Sequence, residues 1–161
     1  MGSFSIFTTM TDPESRNDPW KESIKCYEAL ADDVLVVGED WPVEFDWDVF
    51  NKIYQNGFDK CSTDWVMRMD LDYFIHEDDF ERIKYYLNKY SDHPAIVLPQ
   101  YQFFTPDRYQ VKSKLCLLLN KKKFLISKGF WVNFRVFANQ VLTIYSNLFN
   151  NQKLTDAHTC Y

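Results

Sequence analysis

The sequence predicts an α/β protein with a mainly parallel sheet flanked by helices. Short apolar, β-branched runs alternate along the chain with longer segments of helical period. One of those runs, Val34 to Val37, is uninterruptedly apolar, as expected of a parallel strand covered on both faces. With 161 residues, 46% of them hydrophobic and 18% aromatic, the chain is long enough for one well-buried core without a metal or disulfide staple.

The elements follow in order. Ser3 to Met10 is an apolar first strand that ends in Thr8 and Thr9. Thr11 to Pro19, with two prolines and three acids, is a polar loop. Asp18-Pro19 then offers an N-cap and a first-turn proline to a helix over Trp20 to Ala31, whose Ile24, Tyr27, Leu30 and Ala31 share one face. Val34 to Val37 is the second strand, closed by Gly38-Glu39-Asp40. A second helix spans Asp46 to Asn56, with Val49, Phe50, Ile53 and Tyr54 on one face and Asn56-Gly57 as its stop.

Trp65 to Met69 is a third strand that runs into Asp70-Leu71-Asp72. Glu77 to Lys89 is a third helix, with an acidic first turn that suits the helix dipole and His76 beside its start. Ala95 to Leu98, Tyr101 to Phe104 and Lys114 to Leu119 complete the strands, and Lys121-Lys122-Lys123 reads as a surface turn. Strands alternating with helices imply right-handed crossovers.

Charge is unevenly spread. Residues 1–92 carry a net −12 and residues 93–161 a net +7, within an overall −5 that argues against a dedicated nucleic-acid binder. The acidic half suits a metal and the basic part suits phosphate or a membrane surface; equally, the two parts complement each other within one fold. No apolar window is long enough for a transmembrane span, although the apolar stretch Phe130 to Phe149 allows peripheral membrane contact. Cys26, Cys61, Cys116 and Cys160 are widely spaced, with no secretory leader ahead of them. They read as free thiols in a reducing, cytoplasmic setting.

In open sheets ligands bind beyond the carboxyl ends of the strands, which directs attention to Thr8 and Thr9, to Glu39 and Asp40, and to Asp70 and Asp72. Two aspartates one residue apart can share a hard divalent cation, Mn²⁺ or Mg²⁺, that bridges to a substrate's phosphates. The spacing alone says little, because sixteen aspartates in a chain of this length generate about 1.6 such pairs by chance. Asp46-Trp47-Asp48 opens a helix and reads as a cap. Asp70-Leu71-Asp72 ends an apolar strand, where a cation would be useful. Tyr101, Phe103, Phe104 and Tyr109 are candidates for stacking on a sugar or base, although such rings more often serve core and loop packing.

The block Asp64-Trp65-Val66-Met67-Arg68-Met69-Asp70-Leu71-Asp72 resembles the strand and Asp-x-Asp segment of family 2-type glycosyltransferases with the GT-A fold. Asn56 to Cys61 is similar to the helix end that precedes it, and Ile6 to Thr9 with Val34 to Val37 match the first two strands in order. The resemblance covers roughly residues 3–125 and implies a metal-dependent transfer of sugar from a nucleotide-diphosphate-sugar donor to an unknown acceptor, whether glycan, lipid or protein. It implies Asp72 as metal ligand, Asp70 as its partner at the metal or the ribose, Thr8 and Thr9 along the nucleotide pocket, and Glu39 or Asp40 near the base. Arg68 would tether the strand or its carboxylates.

The chain departs from the family at Gly38-Glu39-Asp40-Trp41-Pro42, which leaves the nucleotide open, and after Phe124, where no general-base motif follows. Residues 1–125 are therefore expected to form a nucleotide-sugar-binding domain and 126–161 a divergent C-terminal segment on it. The alternative is a non-catalytic or degenerate nucleotide-binding module lacking the acceptor half.

Overall fold

The computed structural model describes residues 3–10, 12–39, 46–112 and 116–123. Strand β1 (Phe4–Thr9) is followed by helix α1 (Trp20–Leu30), strand β2 (Asp33–Val37), helix α2 (Trp47–Lys60) and strand β3 (Trp65–Met69). A single 3-10 turn (Glu77–Asp79) leads into helix α3 (Phe80–Lys89). Four strands follow, namely β4 (Ala95–Val97), β5 (Gln100–Thr105), β6 (Arg108–Lys112) and β7 (Cys116–Asn120).

Five strands form one sheet in the order β2-β1-β3-β7-β4. β1 pairs in parallel with β2 and with β3, while β7 runs antiparallel to both β3 and β4. The expectation of a mainly parallel sheet is thus corrected to a mixed one. The reason is that β7 enters from the β5–β6 hairpin and inserts between β3 and β4, against their direction.

The period-2 alternation of each strand sorts the core onto two faces. Phe4, Ile6, Trp65, Met67 and Met69 join Tyr27 and Leu30 of α1 and Ile83 and Leu87 of α3. Phe7 and Val66 face the other way, against Tyr54 and Phe58 of α2. β1 is buried along its whole length because it has a strand on each side and helices on both faces. β2, by contrast, lies at the sheet edge and is only partly covered, so its apolar run is less enclosed than the sequence suggests.

Local chemistry explains most of the boundaries, with three corrections. α2 starts where expected, with Asp46 Oδ1 accepting from the backbone N–H groups of Asp48 and Val49. It does not stop at Asn56-Gly57 but continues to Lys60. Gly57 serves a different need: a Cβ there would lie 2.4 Å from Cδ2 of Phe7, so only glycine lets the helix sit on that ring. α1 is capped by position rather than by side chain, with Pro19 at the N-cap and Asp18 engaged by Arg16 instead. The third predicted helix begins as a 3-10 turn, with His76 Nδ1 accepting from Asp78 N, before α3 proper. Tyr101 to Phe104 does not extend the main sheet; it belongs to the separate two-stranded β5–β6 ribbon. The expected segment 126–161, including Phe130 to Phe149, lies outside the described residues, as do Lys114 and Asp40.

Candidate functional site

β1, β2 and β3 end on the same side of the sheet, since Thr8 is opposite Met69 and Thr9 is opposite Val37. Beyond these ends lies a cleft of about 290 Å³ lined by Thr9, Arg16, Asp18, Asp70, Leu71 and Asp72. One wall is the end of β3; the other is the loop between β1 and α1. That loop is shaped locally by Asp12 and Asn17, whose φ values of 38° and 55° lie in the left-handed region that short polar side chains tolerate.

The turn after β3 is fixed from below. Leu71 is 2% exposed and plugs the core, which turns Asp70 and Asp72 outward on either side of it. Three residues of α1 hold the same segment by its carbonyls. Ser23 Oγ donates to Leu71 O at 2.5 Å, Cys26 Sγ to Ile75 O at 3.4 Å, and the Tyr27 hydroxyl sits between Asp70 O and Tyr73 O, 2.9 Å from the latter. Tyr73 N closes the turn on Asp70 O at 3.0 Å. Burial pushes the Tyr27 hydroxyl well above the usual phenol range, so it stays a neutral donor.

The two aspartates have different neighbours. Asp70 Oδ1 is bonded by Arg68 Nη2, which also bonds the hydroxyl of Tyr54, and the guanidinium lies 4.7 Å from the centre of the Tyr54 ring. Arg68 is placed there by strand alternation, as the one position of β3 not fully buried, on the α2 face. Tyr54 is in turn stacked on Phe50 at 4.2 Å and edge-on to Phe7 at 6.1 Å. Among the described residues no cation bonds Asp72 in this way. Desolvation raises its pKa above the ordinary carboxylate range, and the nearby negative charges of Asp70 and Asp18 add to the shift; its own backbone N–H and Arg16 draw it back.

Of the residues singled out in the sequence, the structure brings Thr9, Asp70 and Asp72 to the cleft, with Arg68 directly behind Asp70. Thr8 is fully buried and its Oγ1 finds no partner among the described residues, so it faces the interior rather than the cleft. Glu39 is exposed beyond β2 and is not among the cleft's lining residues; Asp40 lies outside the described residues. Sequence reasoning missed Arg16 and Asp18 as cleft residues, because a polar loop gives no sign of which wall it will form. It also missed Ser23 and Tyr27 as supports. Their signal was present: a serine and a tyrosine four residues apart on the buried face of α1.

Asp18, Asp70 and Asp72 line one cleft, yet among the described residues no three His, Cys, Asp or Glu side chains converge into a ready ligand set. Arg16 takes Asp18 and Arg68 takes Asp70. What remains fits a Mg²⁺- or Mn²⁺-type ion, which uses one or two carboxylates and completes its shell with water and substrate phosphate. The raised pKa of Asp72 marks a carboxylate that a nearby cation would relieve. No family model, no curated protein and no solved structure matches this chain.

Proposed function

We propose that the chain is a metal-dependent glycosyltransferase with a GT-A-like fold, binding a nucleotide-diphosphate-sugar donor in the cleft beyond β3. The observation that carries the reading is the placement of Asp70 and Asp72 at the carboxyl end of a central strand, on the lip of the only cleft wall with an unpaired carboxylate among the described residues. Asp72 would hold Mn²⁺ or Mg²⁺, with Asp70 on its other side kept in place by Arg68. The ion supplies charge neutralisation for a departing diphosphate. Thr9 and Arg16 flank the space in which that diphosphate would lie, and Leu71 keeps the two carboxylates apart and outward. A cytoplasmic setting accords with the free thiols of Cys26 and Cys61. Among the described residues no helix is long and apolar enough to cross a membrane.

A second reading, nucleotide-sugar binding without turnover, is favoured by one feature. Apart from Asp72, every acidic residue described as lining the cleft is already paired with an arginine, which leaves no separate acidic group among the described lining residues to serve as general base. Calorimetric titration of UDP and GDP, with and without Mn²⁺, into the parent protein and Asp72→Ala tests the donor site. Metal-dependent binding that vanishes in the variant is expected. Binding to neither nucleotide by folded protein overturns both readings, and binding without donor hydrolysis or transfer selects the second.

A further inference from the structure

The loop between β1 and α1 sets a charged pair, Arg16 and Asp18, into the cleft wall. Its backbone is tied to itself: Asp18 N donates to Pro13 O at 2.9 Å, Asn17 N to Glu14 O at 3.2 Å, and Ser15 Oγ to Asp12 O at 3.1 Å. Trp20 Nε1 fastens the loop to α1 by donating to Glu14 Oε1 at 3.1 Å. Asn17, with φ at 55°, turns the chain between Arg16 and Asp18, and their side chains meet. The frame is therefore fixed, whereas the Arg16 side chain is 52% exposed against 18% for Asp18 and reaches solvent as well as the cleft.

Two features make this pair exchangeable. Arg16 Nε, at 2.9 Å, and Nη2 both converge on a single oxygen, Asp18 Oδ2. A phosphate group offers separate oxygens to the guanidinium's fork, the bidentate arrangement in which charge-assisted bonds are strongest. An ion pair this exposed adds little net stability, so little opposes its opening. Asp18 also lies one residue before the N-cap of α1, whose first turn has no side-chain cap bond, and the positive end of that helix stays beside the carboxylate when Arg16 leaves. The cleft supplies the reason to leave. Asp18, Asp70 and Asp72 line it against one guanidinium, that of Arg16, among the described lining residues. A diphosphate entering there is repelled by the carboxylates and attracted only by Arg16 and by an ion at Asp72.

We propose that Arg16 is an exchangeable diphosphate clamp, held by Asp18 until a phosphate group arrives and then transferred from the Asp18 carboxylate to the phosphate oxygens. The inference rests on the reading of the cleft as a diphosphate site and adds a regulatory element to it: Asp18 competes with the ligand for Arg16.

Calorimetric titration of inorganic pyrophosphate at saturating Mg²⁺ tests it, a probe that carries the diphosphate without committing to a nucleotide. The full chain is compared as parent, Arg16→Gln, Asp18→Asn and the double variant. Arg16→Gln should weaken binding by about tenfold, and Arg16→Lys, which keeps the charge but not the fork, should recover only part of that. Asp18→Asn should tighten binding by about threefold, because the competing partner is gone, and the gain should vanish when Arg16 is also replaced. A gain of equal size with and without Arg16 reports general charge repulsion and overturns the proposal. Weaker binding and a lower melting temperature in both single variants overturn it too, as they assign the pair a structural role. If Arg16→Gln binds like the parent while Asp72→Ala does not bind, the clamp falls and the cleft reading stands; if the folded parent binds no pyrophosphate, both fall. The exposed Arg16 side chain can be replaced without disturbing the core, so its arm decides the matter even where Asp18→Asn fails to fold.

Discussion

Arg68 holds Asp70 with the same nitrogen that hydrogen-bonds Tyr54, so the carboxylate at the end of β3 is tied through the guanidinium to the middle of α2. This makes the two members of Asp70-Leu71-Asp72 unequal. Asp70 is charge-compensated and oriented, whereas Asp72 is left with a like charge beside it and partial desolvation.

Removing the clamp should therefore cost stability as well as binding. Arg68→Met leaves Asp70 and the Tyr54 hydroxyl without their donor, and about 1–3 kcal/mol should be lost in urea unfolding. Tyr54→Phe leaves the bond between Arg68 and Asp70 in place and should cost less, about 0.5–1.5 kcal/mol. If both variants unfold like the parent, the clamp is not a structural tie.

The pH dependence has a definite sign. Asp72 binds its proton more tightly folded than unfolded, so its contribution to stability is greatest at low pH and is lost as pH rises through its raised folded pKa. In EDTA, Asp72→Asn should flatten the decline in melting temperature that the parent shows just above the ordinary carboxylate range. On the proposed function, Mn²⁺ at neutral pH should raise the melting temperature of the parent and not of this variant.

The turn that carries the aspartates depends on Tyr27. Tyr27→Phe keeps the ring in its buried site but removes the hydroxyl between Asp70 O and Tyr73 O. A loss of about 1–2 kcal/mol is expected, together with faster hydrogen exchange at the Tyr73 N–H, which bonds Asp70 O. Unchanged exchange there would show that Leu71 alone fixes the turn.

Gly57→Ala tests the seat of α2 on β1. Alanine is the better helix former and the position is interior to the helix, so propensity alone predicts a gain. The added methyl would meet the buried Phe7 ring, and overpacking of about 1–3 kcal/mol should outweigh that gain. Calorimetric melting of the two proteins decides the sign.

What the sequence determined by itself is local. Strand and helix periods, the Asp46 cap, the His76 start, the Lys121-to-Lys123 turn and the position of Asp70 and Asp72 at a strand end all depend on residues within a few positions of one another. Tertiary structure decided the partners. Arg16 and Asp18 reach the cleft, Tyr27 reaches the turn after β3, and Lys121 Nζ finds the carbonyls of Phe58, Asp59 and Cys61 at the end of α2. Those last contacts join residues up to 63 positions apart. Their identity follows from the strand order β2-β1-β3-β7-β4, which puts β7 between β3 and β4. Periodicity along the chain specifies which face a side chain takes, but only the packing of elements specifies what that face meets.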